Sequence, residues 1–132
     1  MKLDFTPLDN ALGSLARAIQ RAQGALHDEE LRDAVIQRFE YTMDLSWKLL
    51  QRVLRTVGVP ETEIRTKRDL FREAAKIGLL ADPSAWFGYY EARNESSHTY
   101  NRVVAQRVYD KAVEFYQDAR ALLEKMREEN GA

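Results

Sequence analysis

The residues best suited to chemistry lie together between Arg93 and Tyr100, where the chain reads Arg-Asn-Glu-Ser-Ser-His-Thr-Tyr. An imidazole titrates near neutral pH, so His98 can carry a proton to or from an RNA 2′-hydroxyl or a leaving oxygen. A guanidinium such as that of Arg93 stabilises the extra negative charge on a pentacoordinate phosphorus. Asn94 adds an amide four residues before His98, on the same face of even an unbroken helix. Arg93 and His98 are five apart, about 140° around a continuous helix. They converge only if the helix breaks between them, and Ser96-Ser97 is the place for that break. Together the three side chains form a candidate set for cutting RNA without a metal.

In-line attack on phosphorus needs both a base and an acid. Each chain offers one suitable histidine, because His27 sits in the loop Ala25-Leu26-His27-Asp28 and reads as plain surface. A two-fold homodimer that brings two copies of the pocket together would supply the second imidazole. The same residues admit a structural reading. In it Arg93 is a cation at a helix end, Asn94 and Thr99 are caps, and His98 is a hydrogen-bonded junction residue. Tyr100 carries a phenol that either joins the core or faces the pocket, and its position favours neither.

The rest of the chain offers less. Glu40 and Asp44 are an i,i+4 carboxylate pair that reads as solvated on a long amphipathic helix. Arg65, Lys67, Arg68, Arg72 and Lys76 are interleaved with Glu61, Glu63, Asp69 and Glu73, a mixed surface and not a phosphate track. Gly13-Ser14 lacks the Lys and flanking glycines of a phosphate loop. The chain has no Cys, which excludes disulfides, zinc ribbons and thiol catalysis. Neither histidine has metal-ligand spacing, so no metal and no cofactor are called for. The 20 Lys and Arg nearly cancel the 21 Asp and Glu, a net charge of −1. That balance argues against a generic nucleic-acid coat and confines any RNA contact to a local patch. Met1-Lys2-Leu3-Asp4 carries an early acid with no apolar stretch behind it, and no run approaches the roughly 18 apolar residues of a membrane span. A cytoplasmic protein with no membrane attachment is expected.

The elements that must position these residues are helical. At 132 residues the chain has room for one domain, spanning 1–132. Thr6-Pro7-Leu8-Asp9 reads as a helix start, with Thr6 as cap and Asp9 reaching back to the free amides; Leu8, Leu12, Leu15 and Ile19 follow on one stripe to a stop at Gly24. Asp28 opens a second helix whose broad apolar face, from Leu31 through Phe39 and Met43 to Val57, ends at Gly58 and Pro60. Thr66 to Gly78 forms a short helix, Asp82-Pro83 starts a fourth that carries Trp86 toward Arg93, and a last long one runs from about Arg102 to Glu129. No segment alternates with period two. The fold class is therefore all-α, an up-and-down four-helix bundle with one extra short helix. Trp47 reads as core or interface, and Tyr89, Tyr90, Tyr100, Tyr109 and Tyr116 suit a helix-to-helix dimer seam.

Arg93 to His98 resembles the Arg-x4–6-His signature of the HEPN superfamily of small helical bundles. The fuller string through Tyr100 resembles its branch of nucleotidyltransferase substrate-binding proteins. Val35 to Thr42 followed by Leu45-Ser46-Trp47-Lys48 is similar to that branch's long-helix signature, as are Arg72 to Leu80 and Trp86. The resemblance implies a HEPN-like dimer of antiparallel helical bundles, with the Arg and His of both protomers facing a shared cleft. It implies a cognate minimal nucleotidyltransferase as partner, and RNA as the substrate of a toxin. In related two-gene modules that nucleotidyltransferase is the antitoxin and attaches AMP to the Tyr two residues after the motif His, here Tyr100. Added phosphate beside His98 and Arg93 would block substrate and neutralise the cation. Glu40 and Lys48 belong to the branch's signature without an assigned chemistry. Glu95 departs from the pattern by placing an acid where it can pair with Arg93. Two functions follow: a metal-independent endoribonuclease with Arg93, Asn94 and His98 as its catalytic residues, or a non-catalytic adaptor that presents a substrate to the nucleotidyltransferase.

Overall fold

The structure, a computed structural model, describes residues 2–131. It contains five α-helices: α1 (Thr6–Gln23), α2 (Glu29–Thr56), α3 (Lys67–Lys76), α4 (Pro83–Glu95) and α5 (Arg102–Glu129). Short 3-10 turns at Glu61–Glu63 and Ser96–His98 precede α3 and α5, and no strand occurs among the described residues. Helices α1, α2, α4 and α5 make the four-helix bundle, and α3 packs on α4 and α2.

Local chemistry explains the boundaries. Asp28 Oδ1 accepts the amides of Glu30 and Leu31, Thr66 Oγ1 that of Asp69, and Asp82 Oδ1 that of Ser84. Each cap satisfies amides that the first helical turn leaves without partners. At the end of α2, Gly58 takes φ +96°, which lets its own amide reach Arg55 O and that of Val59 reach Leu54 O. Gly78 repeats the device after α3. One start differs from the sequence expectation. Thr6 is already helical, and its N–H donates to Asp4 Oδ1 at 3.0 Å, so Asp4 and not Thr6 supplies the oxygen. Asp9 does not reach back to the amides either. It accepts from Arg120 Nη1 (2.7 Å) and Arg127 Nη2 (3.2 Å), which ties α1 to α5.

The apolar stripes meet in one core, with Phe39, Phe71 and Phe115 fully buried. Phe39 and Phe115 meet edge to face at 5.1 Å, and Trp86 and Tyr89 bring α4 onto the same ring at 5.5 and 5.4 Å. Such edge contacts suit the ring quadrupoles and fix α4 against α5. Tyr89 therefore belongs to the core and not to a seam: it is 3% exposed and donates its hydroxyl to Asp118 Oδ2. Burial first, and then that carboxylate, push the phenol well above its ordinary range. Buried Thr42 and Ser46 bond the carbonyls of Arg38 and Thr42 on their own helix, so polar groups beneath α2 are satisfied. Trp47 is half-buried against the core, as expected of it.

Candidate functional site

Helix α4 ends where the polar run begins. Glu95 is its last residue, and residues 96–98 tighten into the 3-10 turn, so the break expected at Ser96-Ser97 is present. The next helix starts on Asn101, whose Oδ1 accepts the amides of Val103 (2.9 Å) and Val104 (3.3 Å). Asn101 is thus the cap, and Thr99 is relieved of that role.

Arg93 turns inward to α2. Its Nε donates to Asp44 Oδ1 and its Nη2 to Asp44 Oδ2, both at 3.0 Å, a bidentate pair. Nη1 donates to Glu40 Oε2 and to Ser96 Oγ, both at 3.1 Å. Four of the five guanidinium N–H donors are thereby engaged, and one on Nη2 remains. Ser96, buried beneath the turn, places its Oγ 2.8 Å from Glu40 Oε2 and 2.6 Å from Arg93 O, so its one proton serves one acceptor at a time. The hydrogen bond to Asp44 above all holds the guanidinium more firmly protonated than usual.

The i,i+4 carboxylates are therefore not a solvated pair. Their spacing puts both on the α2 face beneath α4, where they enclose one cation with two negative charges. Glu95 is not paired with Arg93 either; its Oε2 accepts from Arg107 Nε at 2.9 Å. The residue that sequence reasoning missed is Ser96, whose small buried hydroxyl joins Arg93, Glu40 and the helix end. Nothing in its type distinguishes it from Ser97, which is exposed and bonds Asn94 O.

His98 faces solvent beside Tyr100. The phenol oxygen lies 3.5 Å from His98 Nδ1, with the rings edge to face at 5.9 Å. Tyr100 is 84% exposed, so its phenol is not in the core. The side chains of Arg93 and His98 share no hydrogen bond: one is committed to α2 and the other to Tyr100. Asn94 stands outside the Arg93 network. Next to this junction Arg102 and Val103 are also largely exposed, 86% for the Arg102 side chain. Among the described residues no cluster of His, Asp and Glu is placed to hold a metal ion, and no helix is long and apolar enough to cross a membrane.

Known proteins resemble this chain over nearly its whole length. A family described as nucleotidyltransferase substrate binding protein like matches residues 3–128. A Haemophilus influenzae protein described as a probable ribonuclease HepT is 32% identical, over 98% of this chain and 95% of its own. A solved Haemophilus influenzae structure, described as revealing the fold of a substrate binding domain of a nucleotidyltransferase, superposes with a TM-score of 0.84. It is 28% identical and covers 94% of this chain and 99% of its own. A Thermus thermophilus structure gives 0.78 at 30% identity, over 91% and 98%.

Proposed function

Since the chain belongs to the nucleotidyltransferase substrate-binding protein-like family, with its HEPN-type helical fold, we propose that it is the endoribonuclease subunit of a two-component toxin–antitoxin module. The observation that carries this reading is His98 and Tyr100 side by side and open to solvent at the α4–α5 junction. The likeness to a probable ribonuclease supports it.

In this reading the protein acts in the cytoplasm as a homodimer whose two junctions share one cleft. One His98 takes the proton from an RNA 2′-hydroxyl, whose oxygen bonds to phosphorus as the P–O5′ bond breaks. The second copy's imidazolium returns a proton to the leaving 5′-oxygen, which yields a cyclic phosphate and a 5′-hydroxyl. Arg93 offers its remaining N–H to the phosphate, in a plane fixed by Asp44 and Glu40, and Asn94 orients the same group. The cognate minimal nucleotidyltransferase silences the site: the Tyr100 phenol displaces pyrophosphate from ATP and keeps the AMP. That adds a negative charge and a nucleobase beside His98.

A second reading is favoured by the two carboxylates that surround Arg93. One cation between two carboxylates repels phosphate, which suits an adaptor that binds substrate for the nucleotidyltransferase and cuts nothing. Incubating the purified chain with total RNA in chelator separates the two. Cutting that vanishes in His98→Ala supports the nuclease, and RNA left intact by both proteins supports the adaptor.

A further inference from the structure

The acids interleaved with Arg65, Lys67, Arg68 and Arg72 do not all dilute them in three dimensions. Glu61 turns to Arg55 and Glu73 to Lys76. Among the described residues Arg65, Lys67 and Arg68 form no ion pair. They stand instead at the rim of a cleft of about 450 Å³ between the start of α3 and the outer face of α4, with Phe87, Tyr90 and Glu91 opposite. That volume lies within the range of about 300–1,000 Å³ typical of small-molecule sites.

Aromatic rings, not carboxylates, hold Lys67 and Arg68. Lys67 Nζ sits 3.7 Å above the Trp47 ring and 5.9 Å from that of Tyr90, and Arg68 Cζ lies 4.7 Å over Phe87. A cation on a ring face is oriented while its charge stays unneutralised. The floor is the buried ring of Phe71, 6.1 Å from Phe87 and 6.5 Å from Tyr90. The cleft therefore offers three positive charges against the single carboxylate of Glu91, beside flat apolar faces and the Arg68 guanidinium plane. A phosphate alone would use only the cations, and an apolar ligand only the rings. A nucleotide uses both, since phosphate meets the charges, the base stacks, and Glu91 accepts from a base amino or ribose hydroxyl.

We propose that the cleft between α3 and α4 is a nucleotide-binding site, with phosphate on Arg65, Lys67 and Arg68 and the base against Phe87 and Tyr90. The nucleotide is either free or one residue of a single-stranded RNA. The site is independent of His98 and of whether the protein cuts RNA.

Amide NMR titrations of the full chain test this, with AMP, adenosine, inorganic phosphate and an uncleavable 2′-O-methyl RNA tetramer as probes. AMP is expected to shift the amides of residues 65–68 and 87–91, with adenosine and phosphate each binding at least about tenfold more weakly. Arg68→Gln and Phe87→Leu are each expected to weaken AMP at least about fivefold, while His98→Ala leaves it unchanged. The exposed Arg68 keeps the test open if Phe87→Leu fails to fold. A tetramer that displaces AMP identifies RNA as the source, and one that does not identifies free nucleotide. The proposal is overturned if those amides do not move, if Arg68→Gln binds AMP as the parent does, or if phosphate binds as tightly as AMP.

Discussion

Arg93 on α4 and Asp44 on α2 meet side-on through two hydrogen bonds of 3.0 Å, although 49 residues separate them in the chain. The pair fixes the plane of the guanidinium and clamps the last turn of α4 to the long helix, just before the chain turns toward His98. The pair thus joins the bundle to the candidate site.

Removing Asp44 should cost more than losing a surface pair does, because it leaves the Nε and Nη2 donors of a half-buried guanidinium unmatched while Glu40 still holds Nη1. Asp44→Ala is expected to lower stability by about 1–2 kcal/mol, the value of charge-assisted hydrogen bonds discounted for partial exposure. Urea unfolding measures it. Arg93→Lys should lose most of the same amount, since an ammonium cannot make the bidentate contact. A lysine variant as stable as the parent would show that the fork geometry contributes nothing.

The cap that starts α5 can be tested apart from the cation. Asn101→Ala removes the acceptor for two amides and is expected to cost about 1 kcal/mol. Hydrogen exchange should localise the loss to the first turn of α5, with faster exchange at Val103 and Val104. Unchanged exchange at those amides would contradict the assignment of the cap.

Acid sensitivity should follow Asp9. Hydrogen bonds from Arg120 and then Arg127 hold its carboxyl below the ordinary value of 3.8. A carboxylate depressed in the folded state stabilises the fold fully above its unfolded pKa, and that contribution disappears as pH falls through the lower folded value. Asp9→Asn should therefore lose up to about 1 kcal/mol at neutral pH, as exposed ion pairs do. The difference from the parent should shrink below pH 3.8, toward zero once the parent's carboxyl is protonated. Paired thermal melts across acidic and neutral buffers check the sign. A gap that widens on acidification would reverse it.

What the sequence made legible was local or periodic. Asp28, Thr66 and Asp82 act as caps because their oxygens need reach only two or three residues along the chain. Gly58 and Gly78 stop helices because their backbone takes a left-handed turn that other residues resist. The break after Glu95 was foreseeable from a run of poor helix formers. Partner choice among surface charges was not legible. Asp9, Glu95 and Glu40 each find an arginine on another helix, and a charge pattern alone does not say which helix faces which. The i,i+4 spacing of Glu40 and Asp44 did carry a signal, two acids on one face, but its meaning depended on α4 crossing there.

The regulatory reading of Tyr100 yields the sharpest test, since its phenol is open and its removal should not disturb the fold. At 84% exposure Tyr100→Phe is expected to change stability by less than about 0.5 kcal/mol. It also takes from the His98 ring a neighbour whose oxygen, at 3.5 Å, is already a weak hydrogen-bond partner. Mixed with the nucleotidyltransferase and ATP, the parent should gain the mass of one AMP at Tyr100 and lose its RNA cutting. The phenylalanine variant should gain nothing and keep on cutting under the same conditions. Intact-protein and peptide mass spectrometry read the first outcome, and an RNA gel reads the second. If the variant is silenced as completely as the parent, the AMP is attached elsewhere or silencing needs no attachment, and Tyr100 loses its regulatory role.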